Sequence, residues 1–593
     1  MRFNLKLINE NPDTQNIKHQ ILRNRGIDDV EAYLNLGNHC LHDYRLLGEE
    51  KLAKIYELID EASMDDKKVF ILVDSDVDGY SSGAMMFKYL VDFIGMKNVK
   101  YILNRDKKHG LQPEIVDALL FERSEEKGLL IIPDAGTNDT AHCKTLSEWY
   151  DIIVIDHHPR EDDVEENVYA TIINPQICGY PNKNICGAAT VYKVLQYLDE
   201  QYNATEANEC LDLVAIAMIA DVMDLRNVES RYLTTRGLMN IDNKLIRACI
   251  EKNSYSISNT ASPNALDAAF YISPMLNACI RTGSAEEQDN LFRAFCEKDF
   301  GQTFPYKPRK SAKNPEPVEI DEDFYTHVVR ICYNLKLSKQ DKVCDKECGI
   351  AIDELSKKKE SKLAVFNRTG MDLGLIGVLA NKVANTIDKP TLVLRRDREE
   401  DGKVVYKGSA RNFKNSYVLD FKQDLLDSGL VLFAAGHSNA FGLEIYGENV
   451  IKLQRWFDEK YENVDASKTF YVDYLLDGSV PFYIVREINE MKSLFSNFVE
   501  TPFVGCQNVQ VSSGDVQILE SQNGNKRFSF KVDDVEFIKF KLDEDDEMIR
   551  AVQNSFGDEV FNISLVGKVS VSMYGGKATP QMIIEAYDIE VVE

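Results

Sequence analysis

The sequence predicts an α/β protein in several parts: a parallel-sheet domain, a long helix, a second α/β domain and a small C-terminal β-barrel. Three observations predict it. With 593 residues the chain is too long for one core, and at roughly 150 residues per domain it should hold three to five. Short apolar runs recur between helix-compatible stretches at 68-KVFILVDSD-76, 129-LLIIPDAG-136, 151-DIIVIDHH-158 and 170-ATIINP-175, the rhythm of a helix-covered parallel sheet. Further on, strand-like alternation with little helix marks 528-FSFKV-532, 536-EFIKFKL-542, 561-FNISLVGKVSVSMY-574 and 581-QMIIEAYDIEVV-592, which suits a small barrel.

Taken in order, residues 1–65 read as a polar helical arm, with 17-IKHQILRNRGIDDVEAYL-34 its clearest amphipathic piece. Residues 66–304 form the first sheet domain, mostly helical from 205 to 300. Residues 305–345 read as a linker, with a Pro- and Lys-rich loop at 305–317 and a charged bridging helix over 320–345. Residues 346–462 make the second α/β domain and residues 463–593 the barrel. No internal repeat is visible.

Composition narrows the class. No apolar stretch approaches the ~18 residues needed to span a bilayer, and the N-terminus lacks the basic-then-apolar pattern of a signal peptide. The twelve cysteines are scattered, without paired CxxC elements; Cys344 and Cys348 fit one helix face rather than a metal site. A reduced, soluble, cytoplasmic protein is expected, with no membrane partner. The net charge of −27 argues against indiscriminate coating of nucleic acid but leaves room for a local metal-lined or basic groove. Basic runs occur at Lys307, Arg309, Lys310 and Lys313, at 357–359, and at Arg395, Arg396 and Arg398; each suits a solvated loop or helix face.

The strand ends carry the chemistry. Ligands bind at the carboxyl edge of open α/β sheets, and acids cluster there. The first run ends in 74-DSDVDGYSSG-83. Alternate residues of an extended chain point the same way, so Asp74, Asp76 and Asp78 should crowd together and repel unless cations neutralise them. Gly79 should let the chain turn tightly into a helix. The second run ends in Asp134 and the third in Asp156, His157 and His158, the one place where two of the nine histidines are neighbours. Asp221 lies near the C-terminal end of the apolar helix 211–225, where the helix dipole disfavours an anion, so it should answer to something outside that helix. Carboxylates with imidazole and no thiolate form a hard donor set suited to Mn²⁺ or Mg²⁺. Two such ions about 3.5–4 Å apart can activate water and stabilise phosphoryl displacement.

These motifs resemble the DHH phosphoesterase superfamily and, within it, the RecJ single-strand-specific exonucleases. The resemblance rests on DxDxDG at 74–79 and the Asp156-His157-His158 triplet. It continues through 22-LRNRGI-27, 104-NRDKKHGL-111, 174-NPQ-176, 186-CGAATVYKVL-195, 216-IAMIADVMDL-225, 229-ESR-231, 274-PMLNACIR-281, 374-GLIGVLANKV-383, 407-KGSAR-411 and 436-GHSNAFG-442. It implies a metal-dependent 5′→3′ exonuclease on single-stranded DNA that releases 5′-mononucleotides in repair, recombination or replication. It implies two Mn²⁺ or Mg²⁺ ions held by Asp74, Asp76, Asp78, Asp134, His157 and Asp221, with Asp134 shared. Asp76, Asp134 and His158 would be catalytic, His158 by hydrogen-bonding the scissile phosphate. Arg105, His109 and Arg281 match positions around substrate phosphates; Asn381, Lys382, Ser409, Arg411 and His437 match the nucleic-acid face of the second domain. The C-terminal unit would be OB-like and grip single strands, and a single-strand-binding protein or helicase is a possible partner.

The sequence departs from the family at Asn381-Lys382, where Ser-Arg is common in a pocket for the strand's 5′ end, and at Ala435-Gly436-His437, where Gly-Gly-His is common. The segment 104–111 is one residue short. These departures bear on substrate grip and end preference rather than on hydrolysis. Two other readings compete: a DHH phosphodiesterase clearing short oligonucleotides or cyclic dinucleotides, and an inactive DNA-binding scaffold. The long arm and terminal strands argue against the first, the intact ligand set against the second.

Overall fold

The computed structural model describes residues 3–592 apart from 106–107, 162–163, 258, 309, 311–314, 358–360, 522–523, 543–545, 556–558 and 574–576. Arg309, Lys313, Lys358 and Lys359 of the basic runs therefore lie outside the described residues. The chain divides into two compact units. One comprises residues 32–345 with 373–375, the other residues 1–31, 346–372 and 376–593.

The N-terminal segment opens with a strand, β1 (Phe3–Leu7), where the sequence suggested only helix. Phe3, Leu5 and Leu7 alternate with Asn4 and Lys6, and β1 pairs in parallel with the strand Lys468–Val472. That partner is too far along the chain for local patterning to reveal. Helices α1 (Ile17–Asn24) and α2 (Val30–Leu34) follow. Asn16 caps α1 by accepting from His19 N. Just past α1, Arg25 donates in parallel to both oxygens of the buried Asp473 at 2.8 and 2.9 Å, a bidentate fork that fixes orientation as well as position. Asn24 adds a bond at 2.9 Å, so the 22–27 motif ties α1 to the strand region after residue 468.

The first unit is built on five parallel strands: β2 (Val69–Val73), β3 (Val99–Leu103), β4 (Gly128–Pro133), β5 (Tyr150–Ile155) and β6 (Thr171–Ile173). Their order is β3-β2-β4-β5-β6, with β2 paired in register Val69↔Val99 to β3 and Val69↔Leu129 to β4. The edge strand β3 went unread in the sequence because Lys100 interrupts a short, half-exposed run. Helices α3 (Glu49–Met64), α4 (Val77–Lys88), α5 (Pro113–Glu122) and α6 (Thr140–Leu146) pack around this sheet. Helices α7 (Gly187–Tyr202) and α8 (Leu211–Ala220) complete it. Both faces are covered, so the strands read as continuous apolar runs. Ile71, Val73, Ile131 and Ile153 pack with α3, α4, α7 and α8. Phe70, Leu72, Leu130 and Val154 pack with α5 and α6.

Beyond residue 220 the unit is helical, as expected, to Phe295. Short strands at Thr303–Tyr306 and Ile320–Asp323 then pair antiparallel, so the segment read as linker is partly a β-ribbon. The helix expected over 320–345 begins at Phe324, capped by Asp323. It passes through a π-helical turn at Lys336–Asp341.

The second unit holds a five-stranded mixed sheet in the order Val431–His437, Ala440–Tyr446, Lys403–Arg411, Thr391–Glu400, Ala364–Asn367. Its C-terminal sheet has seven strands, from Tyr474–Asp477 at one end to Gln517–Glu520 at the other. Among the described residues no pairing joins those two end strands, so the sheet is open where the sequence suggested a barrel. None of the twelve cysteines is in a disulfide, and Cys344 and Cys348 are buried on the helix Lys342–Ser356. Among the described residues no helix is long and apolar enough to cross a membrane.

One buried ion pair secures the first unit. Lys193 on α7 and Glu229 lie 2.8 Å apart with neither side chain exposed. Glu229 also accepts from His42 N, Tyr180 Oη and Asn182 Nδ2, and Lys193 donates to His42 O at 2.9 Å. Burial raises the Glu229 carboxyl, but Lys193 and these donors outweigh it and hold it below its usual range. Breaking such a pair from one side leaves a buried unpaired charge and costs about 3–5 kcal/mol. Lys193→Ala should therefore lower the urea midpoint of the metal-free protein by that equivalent; an unchanged midpoint would show the pair to be dispensable.

Candidate metal centre

The strand order reverses between β2 and β4, and this switch point is where open α/β sheets bind ligands. Each of the five strands is followed at its carboxyl end by a buried acid or amide: Asp74, Asn104, Asp134, Asp156 and Asn174. The sequence pattern singles out the three acids and gives Asn104 and Asn174 no role. Asn104 donates to Asp74 Oδ1 at 3.1 Å and to Gly110 O at 2.8 Å. Asn174 donates to Thr137 Oγ1 at 2.8 Å and to His158 O at 2.9 Å. An Asp or Asn closing every strand was the signal available to find them.

The three acids of the first motif converge, but not by strand alternation. β2 ends at Val73, Asp76 caps α4 by accepting from Gly79 N at 3.0 Å, and Asp78 already lies in the first helical turn. Gly79 is likewise not needed for the turn; a Cβ there would sit 2.6 Å from Asp74 Cβ. Its bareness lets α4 start against the strand end.

His157 is the hub of one group. Its Nε2 lies 3.3 Å from Asp134 Oδ1, 3.5 Å from Asp221 Oδ2 and 3.7 Å from Asp78 Oδ2. Neighbouring ligands of one octahedral ion at about 2.1 Å lie roughly 3 Å apart, so this spacing suits a shared cation. Asp221 is the C-cap of α8, and the acid at a helix C-terminus does face an outside group. A second group joins Asp74, Asp76 and His109, and a third joins Asp134, His157 and His158. His109 Nδ1 contacts Asp74 Oδ2, so the loop residue expected at substrate phosphates stands beside a candidate ligand. The fit to a hard divalent cation is also visible in what is left unsatisfied: Asp134 Oδ1 is buried without a hydrogen-bond partner.

Electrostatics sort the members. Burial, then Asp78, Asp76, Asp74 and Asp221, push the Asp134 carboxyl well above its usual range. Burial, then Asp78 and Asp76, do the same to Asp221. Burial lowers His157, favouring the neutral imidazole a metal requires. Asp156 behaves oppositely. Burial raises it, but His158, His157 and Thr137 outweigh that and hold it below the ordinary carboxylate range. Its Oδ1 accepts from His157 N at 2.7 Å, His158 N at 3.0 Å and His158 Nδ1 at 2.8 Å; Oδ2 accepts from Thr137 N at 3.0 Å. Burial opposes the charged form of His158, yet the Asp156 bond and charge raise it to about 9. Asp156 thus braces both histidines.

The remaining sequence candidates fall in two places. Arg105 is exposed just beyond β3. Arg281 closes the helix Ser273–Thr282; burial lowers its pKa and Asp76 opposes that shift. The other candidates lie in the second unit. Asn381 and Lys382 are on the helix Leu373–Ile387. Asn381 lines a cavity of about 490 Å³ with Asn385, Asn412, Lys414 and Ser416. Arg411 donates to Ser409 Oγ and to Ala410 O, both at 2.7 Å, and His437 is exposed at the end of its strand.

Comparison with known proteins agrees with this geometry. Residues 68–218 match the model of the DHH family, N-terminal domain. The chain is 33% identical to "Putative SPbeta prophage-derived single-strand DNA-specific exonuclease YorK" of Bacillus subtilis (strain 168), covering 99% of this chain and 98% of that one. It is 25% identical to the single-stranded-DNA-specific exonuclease RecJ of the same organism, over 95% of this chain and 67% of that one. The crystal structure of RecJ from Thermus thermophilus in complex with Mn²⁺ matches in fold with a TM-score of 0.68 at 17% identity, over 96% of this chain and 75% of that one. The chain belongs to the DHH family. Within that family it groups with the RecJ and YorK proteins.

Divalent-cation binding is measurable without a substrate. Mn²⁺ added to metal-free protein should raise Tm, since a ligand at 100 times its Kd stabilises by about 2.7 kcal/mol. His157→Ala should weaken Mn²⁺ binding in calorimetry, whereas His158→Ala should leave it near wild type. Equal losses in the two variants would show that both imidazoles are ligands.

Proposed function

We propose that the chain is a two-metal exonuclease that degrades single-stranded DNA in the 5′→3′ direction and releases 5′-mononucleotides. The observation that carries this reading is the convergence of Asp78, Asp134 and Asp221 on His157 Nε2, beside the group of Asp74, Asp76 and His109. Relatives named as single-strand DNA-specific exonucleases support the substrate. The Mn²⁺ complex of the Thermus thermophilus RecJ supports the metal.

Asp74, Asp76, Asp78, Asp134, His157 and Asp221 would hold two Mn²⁺ or Mg²⁺ ions, with Asp134 shared. When bound, such ions supply a water-derived nucleophile near neutral pH and offset charge on the phosphate. The chain's own groups do the rest. Asp156 engages His158 Nδ1, which leaves Nε2 to donate to a phosphate oxygen where negative charge develops. Arg105, His109 and Arg281 would neutralise neighbouring phosphates. Ser409, Arg411 and His437 would track the strand, Arg411 as a salt-sensitive phosphate contact. The C-terminal strands, residues 463–593, are read as an OB-like surface for single strands, whose stacking and backbone contacts are sequence-tolerant. The setting is cytoplasmic DNA repair, recombination or replication, alongside a single-strand-binding protein or helicase.

End-labelled single- and double-stranded substrates of several lengths test the reading. Mononucleotides should appear from the 5′ end of single strands, and His158→Ala should lower kcat by roughly 10²–10³-fold. Attack from the 3′ end, or equal rates on blunt duplex, would overturn it. The 5′ end gives a sharper test. Arg clasps a terminal phosphate through two parallel bonds, whereas Lys offers a point charge on a flexible stem. With Asn381 and Lys382 in place, initial rates on 5′-phosphorylated and 5′-hydroxyl strands should differ little. Asn381→Ser with Lys382→Arg should widen the gap, and a wild-type preference of about a hundredfold or more, near 2.7 kcal/mol, would reject this pocket.

A further inference from the structure

The start of α7 lies against two carboxylates that arrive from different elements, Asp78 from the first turn of α4 and Asp134 from the end of β4. Gly187 N donates to Asp78 Oδ2 at 2.7 Å, and Ala188 N donates to Asp78 Oδ1 at 2.8 Å. The first-turn amides and the positive end of the helix dipole therefore fix both oxygens of one acid and favour its charged form. The same glycine meets the other acid. A Cβ on Gly187 would lie 2.7 Å from both Cβ and Cγ of Asp134 and closer still to Oδ1, inside the 3.0 Å that real Cβ atoms keep. The φ of Gly187 is not positive, so close approach, not backbone freedom, demands the missing side chain.

Asp134 has little room to yield. Its φ is +68°, a conformation L-residues seldom adopt, and its N donates to Ile155 O at 2.7 Å. The Oδ1 that Gly187 faces is also the oxygen that has no hydrogen-bond partner and lies 3.3 Å from His157 Nε2. One helix start thus holds Asp78 by donation and limits Asp134 by contact. The two acids belong to the two sides of the switch point, between the ends of β2 and β4.

We infer that Gly187 is a positioning residue: its bare Cα sets how closely the carboxylates of Asp78 and Asp134 approach, and so how well the centre fits a divalent cation. The inference rests on reading the centre as metal-binding, but not on the nuclease activity or its substrate. Partners that support metal ligands from outside are worth about 10–100-fold in metal affinity, and Gly187→Ala should cost that much.

The test is Mn²⁺ calorimetry on the metal-free full-length chain, with Tm and far-UV circular dichroism recorded in chelator. Gly187→Ala should bind Mn²⁺ about 10–100-fold more weakly while its chelator Tm and spectrum stay near wild type. A purely structural role would move Tm and spare the affinity. If Gly187→Ala is too unstable for calorimetry, the Mn²⁺-induced rise in Tm, measured for it and for wild type at the same Mn²⁺ concentrations, decides. A smaller rise than wild type supports the inference and an equal rise overturns it. Wild-type Mn²⁺ affinity in the folded variant overturns the inference. A wild-type chain that binds no Mn²⁺ overturns instead the metal reading beneath it, and a chain that binds Mn²⁺ but spares DNA refutes the nuclease alone.

Discussion

Repulsion among buried carboxylates is the constraint that the first unit is organised to meet. Asp74, Asp78 and Asp134 are almost wholly buried, and the two acids facing His157 from β4 and α8 have their carboxyls pushed up by burial and by the nearby Asp78 and Asp76. Burying like charges in one volume is unfavourable unless each has donors or a cation. The sheet answers with fixed donors wherever the chain can supply them. Asn104 and Gly110 serve Asp74, the start of α7 serves Asp78, and Thr137 with the two histidines serves Asp156. Asp134 is the exception. Its Oδ1 has no hydrogen-bond partner, and that asymmetry suits the cluster to a cation rather than to a network closed on itself.

The same logic separates the members of the triplet that gives the DHH family its letters. Asp156 is saturated by four donated bonds, which leaves it poorly suited to a metal. His157 is buried against Asp78, Asp134 and Asp221, while His158, its ring 4.5 Å from that of His157, is nearly half exposed. One carboxylate fixes both backbone amides and one ring, so the different settings of two identical side chains depend on a third.

Much of this was legible in the sequence because it is local. Four of the five parallel strands announce themselves as apolar runs, and the terminal acids of three of them, Asp74, Asp134 and Asp156, follow directly. What could not be read is non-local or concerns the backbone. Alternation puts Asp78 in the cluster for the wrong reason, since it assumes an extended chain where α4 has already begun. The parallel pairing of β1 depends on a partner more than 460 residues away. Gly187 carries no side chain to suggest a role, and its reason is a distance to Asp134 that only the folded chain defines. The closed barrel rests on alternation and on the resemblance in element order, and alternation reports one buried face, not whether the two edges of a sheet meet.

Motifs that look alike in sequence also do different physical work. The segments at 22–27 and 229–231 belong to the same family resemblance as the acids, yet their charged residues serve buried partners of their own. Arg25 closes on buried Asp473, while Glu229 pairs with Lys193 and Arg231 lies over the Tyr33 ring at 4.2 Å. These are places where a buried charge requires one particular partner, so they tolerate change as poorly as a ligand would. The Lys193–Glu229 pair also bears on the centre, through α7. Lys193 sits on that helix, and the first turn of the same helix holds Asp78. An ion pair that anchors α7 against Glu229 therefore also anchors the amides that orient an acid of the centre. Fold and site are joined there by a rigid element rather than by a chain of side chains.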